Sequence, residues 1–412
     1  MSKIIDRMNS YFVSREIPKL EAVELLSLAG ILVSIFFPIR YVLENSYATI
    51  LGYYSDFTSI SIYIGFAFVL IFIGINIYRE IKLKKNFKFW LIISLVFTGL
   101  LIVYQVKLES EAAISFYHHL RITCVLLLGY SVYKSPTALK YKKLFLWICV
   151  LLGGIQGVIA VLQFSLQHSL GLNLLGESPL SVTMYGVAKA VSHGTTYIRG
   201  YGTLPHPNIL AGVLVIVSLF NIYLLNNTLQ LRERVILSVT YILMVMGIFA
   251  SLSRGGMLAL VLGFTTWLIL NSYRKKSVLF VRKLWVVPIG IAISITVFYP
   301  WIVSRGTIES AAKNLRNTYN ATGVDIIRDN WLVGTGPGTN MFHMKQRLSS
   351  QLEQWDIQPI HNFWLITWSE LGITGLIVSF FMIKVMILSI WRAVSRGNTE
   401  KKISTGIAGM SH

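Results

Sequence analysis

The chain has 412 residues, of which 54% are hydrophobic and 13% charged, and its mean hydropathy is +0.62. Apolar runs long enough to cross a bilayer, which takes about 20 residues, recur along its length. This composition excludes an ordinary soluble enzyme and predicts an all-α polytopic membrane protein with about 10–12 transmembrane helices. The net charge of +19 is concentrated in short loops between apolar runs, as membrane orientation requires, so nucleic acid is not an expected partner.

Ten membrane spans are predicted in chain order, and alternate loops between them are basic. By the positive-inside rule, the basic loops 79–88, 134–143, 226–234 and 272–283 face the cytoplasm. The residues before the first span lack a signal-peptide cleavage site and are interpreted as a retained cytoplasmic tail. The spans lie near residues 22–39, 60–78, 89–106, 116–133, 144–166, 208–225, 235–252, 255–271 and 284–303, with a last one ending near 392.

Two long segments, residues 167–207 and 304–360, are then expected on the outer face. The second is more like an ordered lid than a linker, and its centre, residues 308–330, is compatible with an amphipathic helix lying on the membrane. After His361, glycines at 372 and 375 predict a short entering helix followed by the last span. The expected organisation is N-terminal helices 1–166, a catalytic membrane region 167–392 and a cytoplasmic tail 393–412.

Two arginines stand on glycine-rich turns at this outer face. Arg199 opens the stretch Arg199-Gly-Tyr-Gly-Thr-Leu-Pro-His-Pro-Asn208, and Arg254 lies in Ser251-Leu-Ser-Arg-Gly-Gly256. Pro207 or Asn208 starts span six, and Asn208 is a good helix N-cap, so the positive end of this span is expected to point at an anion. Two guanidinium groups together can grip a diphosphate. The alternative for each arginine alone is a residue that snorkels to the membrane interface.

His361 starts the last helical unit and is the candidate base, because an imidazole titrates near neutral pH. The alternative is a purely structural histidine. His168, His193, His206 and His343 have no metal-ligand spacing with neighbouring acids or cysteines, so no metal or cofactor is expected. Cys124 and Cys149 lie in apolar runs and are interpreted as buried hydrophobic residues. The membrane midplane is nearly without ionisable groups, which counts against an ion-coupled transporter.

These motifs, together with Gly334-Thr-Gly-Pro-Gly338 and His361-Asn-Phe-Trp followed by Glu370-Leu-Gly-Ile-Thr-Gly375, resemble the O-antigen ligase / O-antigen polymerase superfamily. The resemblance runs from about Arg199 to Gly375. It implies a C-type membrane glycosyltransferase that moves a glycan from undecaprenyl diphosphate to an acceptor hydroxyl, at the outer side of the bacterial inner or cell membrane.

The resemblance also implies residue roles. Arg199 and Arg254 would bind the diphosphate, and His361 would assist the acceptor, in a metal-independent inverting displacement. Its partners would be the lipid-linked donor, a glycan or lipid-glycan acceptor and membrane lipids. A transporter or flippase of lipid-linked glycans or small anions, and a non-catalytic scaffold, remain as alternatives. The further residues expected to bind substrate are His206, Asn208, Ser253, Arg316, Gly336 and Gly338.

Overall fold

The computed structural model describes residues 2–43, 58–82, 111–272, 284–304, 309–353 and 356–408. Helices dominate this part of the chain, and two short antiparallel hairpins join them. The helices are α1 (Ser2–Phe36), α2 (Ile64–Lys82), α3 (Ala112–Lys134), α4 (Pro136–Lys140), α5 (Lys142–Leu166), α6 (Pro207–Asn227), α7 (Leu231–Ala250), α8 (Arg254–Ser272), α9 (Val286–Ser304), α10 (Glu309–Asn330), α11 (Asn340–Leu348) and α12 (Phe363–Ala408). The hairpins are β1 (Arg40–Leu43) with β2 (Ile60–Tyr63), and β3 (Lys189–Ser192) with β4 (Thr195–Ile198).

The predicted all-α membrane class is confirmed. Seven described helices are long and apolar enough to cross a bilayer, namely α2, α3, α5, α6, α7, α9 and the first part of α12. Helix α8 is a shorter apolar helix of the same bundle. The span predicted at 89–106 lies outside the described residues, as does most of the basic loop at 272–283.

Four local predictions can be compared with the helices directly. The predicted tail before the first span is helical and continuous with it, since α1 begins at Ser2. The predicted break near the end of the chain is confirmed, because Gly372 has φ 63 and ψ −164 inside α12. The same helix continues past the predicted limit of the last span to Ala408. The amphipathic segment 308–330 is helical as α10, and its placement on a membrane stays a prediction.

Helices α5, α6, α7 and α9 pack around the main apolar core. The close contact of α5 with α7 depends on glycine: a Cβ built on Gly157 would lie 2.2 Å from the Leu243 carbonyl oxygen. Small residues let two membrane helices approach until their backbones touch. Asn221 of α6 adds a buried polar contact, donating to the Leu237 carbonyl at 3.0 Å and to Thr240 Oγ1 at 2.9 Å.

The bundle has two ends of different character. The basic end contains Arg79, the loop 134–143 and the loop 226–234, and contacts of Glu24 with Arg79 and Ser135 draw two of these regions together. The other end, called the motif end here, contains residues 167–206, the turn 251–253 and His361. Helices α5, α6 and α7 each run between the two ends, which agrees with the alternation of loops predicted from charge.

Candidate active site

Arg199 follows β4 directly and is held at the motif end by two uncharged oxygens. Its Nε donates to the Ser251 carbonyl at 2.6 Å, and its Nη2 donates to Asn208 Oδ1 at 2.6 Å. Only 7% of the residue is exposed. Neutral acceptors fix the direction of a guanidinium, so these two hydrogen bonds orient the Arg199 side chain.

Helix α6 begins at Pro207, one of the two predicted starts, but its cap differs from the prediction. Asn208 was expected to cap this helix, but His206 is the N-cap, and its side chain accepts from the Asn208 amide at 3.1 Å. The reason is Pro207, whose fixed φ and missing N–H suit the first helical position. The helix therefore begins one residue before Asn208. The Asn208 side chain is then available to accept from Arg199.

His206 is a neutral imidazole of defined tautomer. Burial, together with the charges of Arg199 and His361, lowers the pKa of His206 to about 4. Its Nδ1 accepts from a backbone amide, which places the proton on Nε2. The electrostatic effect of His361 on His206 also shows that these two predicted site residues lie close together.

Arg254 stands at the positive end of a helix. It is the first residue of α8, and Ser253 Oγ accepts from the Gly256 amide at 3.2 Å in the manner of an N-cap. The first turns of α6 and α8 both lack an acidic residue. A helix N-terminus carries a partial positive charge, and Arg254 adds a full one at the start of α8. Two helix starts without an acidic residue in their first turns therefore suit an anionic ligand.

The turn between α7 and α8 carries backbone strain beside this site. Leu252 has φ 47, in the left-handed region that a branched residue rarely adopts, and it is buried. The Gly200 amide donates to the Ala250 carbonyl at 2.9 Å, next to the contact of Arg199 with Ser251. The two arginine motifs thus share a direct backbone interface, although they are more than 50 residues apart in sequence. Strain of this kind often accompanies a functional geometry.

His361 precedes α12 and is solvent-accessible. Its Nε2 lies 3.0 Å from Gln358 Oε1, and the Tyr319 ring contacts it edge-on at a centroid distance of 6.0 Å. Partial burial, and after it the positive charge of Arg316, lower the pKa of His361 below the ordinary 6.5. The imidazole is therefore neutral at physiological pH. With Nε2–H donating to Gln358, Nδ1 has a lone pair available for a proton.

The glycine loop 334–338 packs against protein. Gly334, Gly336 and Gly338 all have positive φ, and the Gly336 amide donates to the Glu370 carbonyl at 2.9 Å. A Cβ on Gly338 would lie 2.1 Å from the ring of His118 in α3. The loop reaches His361 through Asn340, whose Oδ1 accepts from the Ile360 amide at 3.1 Å. These contacts support the start of α12, and direct substrate binding by Gly336 and Gly338 stays a prediction.

Within the described ranges, no group of three or more His, Cys, Asp or Glu side chains is placed to hold a metal ion. Cys124 and Cys149 are buried and unbridged.

Sequence reasoning missed Gln156 and Gln163, whose side-chain amides contact the Arg199 motif from α5. The sequence feature that could have identified them is a pair of amides seven residues apart in an otherwise apolar span. A buried amide in a membrane helix needs a hydrogen-bond partner.

Residues 239–380 match the family model Wzy_C, described as O-antigen ligase. Over this region the chain is similar to the O-antigen ligase family. The match confirms the resemblance to the O-antigen ligase superfamily and supports, in general terms, a glycosyltransferase-like membrane enzyme of surface-polysaccharide ligation or polymerisation. Arg254, Arg316 and His361 lie inside the matched region, whereas Arg199, His206 and Asn208 precede it. No curated protein and no solved structure matches the chain.

Proposed function

We propose that this O-antigen ligase-like protein transfers a glycan from undecaprenyl diphosphate to an acceptor hydroxyl at the extracytoplasmic face of the bacterial inner membrane. One observation carries the proposal. The Arg199 guanidinium donates to the Ser251 carbonyl, so the two arginine motifs meet at the starts of two helices that have no acid in their first turns. Such a place suits a diphosphate.

The diphosphate is the leaving group, and its charge grows as the bond to the sugar breaks. Arg199, Arg254 and the N-termini of α6 and α8 would stabilise that charge, which is greater in the transition state than in the bound donor. His206 would donate a neutral hydrogen bond from Nε2, either to a phosphate oxygen or to the first sugar.

The transfer is a single displacement with inversion. The acceptor hydroxyl oxygen forms a bond to the anomeric carbon while the bond from that carbon to the diphosphate oxygen breaks, and its electron pair leaves with the lipid diphosphate. The acceptor proton passes to Nδ1 of His361, which is neutral at working pH. The donor is already activated, so the displacement requires neither a nucleotide nor a metal.

The extracytoplasmic assignment follows from charge. The motif end lies opposite the basic end of the bundle, and basic loops are retained in the cytoplasm. The segment formed by α10 and α11 follows α9 at the motif end, where it would cover the acceptor.

The test uses purified protein in detergent, a lipid-diphosphate-linked glycan and an acceptor glycan. We expect release of lipid diphosphate without any sealed vesicle, which a flippase or transporter would not produce. Arg199→Ala and Arg254→Ala should each lower the rate by at least about 100-fold, as removal of an oriented cation or oxyanion donor does. Arg232→Ala at the basic end is the matched control and should turn over normally. Normal product from either motif-end variant would refute the proposal.

A further inference from the structure

Two glutamines of α5 are fully buried on one helix face. Gln156 and Gln163 are both 0% exposed, and seven residues separate them, which is two helical turns. A side-chain amide inside a membrane bundle is costly unless its hydrogen-bonding groups find partners. The partners of these two amides are concentrated in the stretch between Arg199 and His206.

Gln163 uses both ends of its amide. Its Oε1 accepts from the amides of Tyr201 at 2.9 Å and Gly202 at 2.8 Å. Its Nε2 donates to the Gly202 carbonyl at 2.8 Å and to Glu177 Oε1 at 2.7 Å. Glu177 in turn accepts from the amides of Leu170 at 2.7 Å and Leu172 at 2.6 Å. One side chain thus joins the Arg199 motif to the start of the segment 167–206.

Gln156 holds the next residue of the motif. Its Oε1 accepts from the Thr203 amide at 2.9 Å, and its Nε2 donates to Thr203 Oγ1 at 2.9 Å. The same Nε2 donates to the Phe36 carbonyl at 2.8 Å, at the end of α1. Three consecutive residues, Tyr201 to Thr203, are therefore fixed to α5 by buried hydrogen bonds.

The fit between α5 and this stretch leaves space only for glycine at two positions. A Cβ on Gly200 would lie 2.6 Å from the Ala160 carbonyl oxygen. Gly202 has φ 63, and a Cβ there would lie 2.3 Å from Gln156 Oε1. The stretch that contains Gly200 and Gly202 packs tightly against the face of α5 formed by Gln156, Ala160 and Gln163. This close packing fixes the position of its backbone.

We propose that Gln156 and Gln163 are positioning residues for donor binding, an inference that rests on the proposed function. The stretch they hold separates Arg199 from His206, so its position determines where the guanidinium and the imidazole stand relative to the diphosphate. Both side chains are buried beneath the motif and would act through Arg199 and His206 rather than by touching the substrate. A displacement of about 1 Å in such a group is enough to cost roughly 100-fold in rate.

The variants are Gln163→Met and Gln156→Met, which keep the side-chain length and remove the hydrogen bonds. In the purified transfer assay, we expect kcat/KM for the lipid-diphosphate glycan to fall roughly 10- to 100-fold. Thr203→Val replaces one hydroxyl with a methyl group and should cause a smaller loss of kcat/KM. This variant tests the proposal if a methionine variant does not fold. Melting temperature in detergent is measured for every variant.

The matched control is Asn221→Leu, which removes another buried amide from the bundle without touching the motif. It should lower the melting temperature by a similar amount while kcat/KM stays within about twofold of the unmodified protein, because distant sites act independently. A second readout is coupling: in an Arg199→Lys background, Gln163→Met should cause a smaller further loss than in the unmodified protein, because both changes act on one group.

The outcomes separate the two proposals. If Arg199→Ala is inactive but Gln163→Met behaves like Asn221→Leu, the positioning role is wrong and the proposed function stands. Additive losses in the Arg199→Lys background would also overturn the positioning role. If Arg199→Ala transfers glycan normally, the proposed function itself fails.

Discussion

At the basic end of the bundle, Arg79, Lys140 and Lys143 pair with carboxylates, whereas at the motif end Arg199 donates to uncharged oxygens. Glu24 is fully buried and accepts from Arg79 Nη2 at 2.5 Å, Ser135 Oγ at 2.6 Å and Thr137 Oγ1 at 2.6 Å. Arg199 instead donates to a carbonyl and an amide oxygen. The buried pair at the basic end serves packing, whereas the hydrogen bonds of Arg199 orient a guanidinium that we propose binds the donor diphosphate.

Mutations at the two ends should therefore have different effects. A change at the motif end should impair transfer while the protein remains folded. A change at the basic end should destabilise the bundle while the folded fraction still turns over. The predictions that follow test this difference, from the largest expected effect to the smallest.

His361→Ala should lower kcat for glycan transfer by about 100- to 10,000-fold, because the acceptor proton loses its base. Donor binding depends on the arginines and should change little, which a competition assay with the lipid-diphosphate donor would show. Gln358→Ala, which removes the partner of Nε2, is the companion variant and should cause a smaller loss. Intact turnover combined with lost donor affinity would contradict the role of His361.

Arg79→Ala should destabilise the protein by about 3 kcal/mol, since removing one partner leaves the Glu24 carboxylate buried without its cation. Denaturant or thermal unfolding in detergent measures this, with transfer expressed per folded molecule expected to be unchanged. Lys140→Ala is the control, because its pair with Glu21 is exposed and screened by solvent and should contribute much less to stability. Equal destabilisation by the two variants would show that burial of the pair is not what matters.

Arg316→Gln should move the acidic limb of the kcat/KM profile to higher pH. The limb reports protonation of His361 in the free enzyme, and Arg316 is one cause of its lowered pKa. Loss of the positive charge raises that pKa, so the base is protonated, and activity is lost, at a higher pH than before. The movement should shrink in high salt, since Arg316 is exposed. A limb that moves the other way would refute the assignment.

Much of the fold could be predicted from the sequence, because apolar runs and loop charges are local signals. The described spans fall close to the predicted ranges, and the break near Gly372 was expected from the glycines there. The cap of α6 was predicted at the wrong residue. Asn208 has a strong intrinsic preference for that position, but Pro207 fixes the first helical turn one residue earlier.

For the candidate site, the residue types were visible in the sequence, but their contacts were not. Nothing near Gln156 or Gln163 in sequence indicates that their amides meet the backbone of Tyr201 to Thr203. Likewise, the packing of His118 on Gly338 joins α3 to a loop more than 200 residues away. Hydropathy reports how deeply a residue lies in the membrane but not which neighbour it faces.

The sequence by itself determined the membrane class, the alternation of loops and the motif residues at one end, because the bilayer selects for length, apolarity and charge along the chain. Only the tertiary structure decided that Arg199 reaches the turn before Arg254, that His206 lies near His361, and that α5 fixes the backbone between them. These contacts depend on how helices distant in sequence pack, and that packing is set by side-chain shape and buried hydrogen bonds summed over the whole bundle.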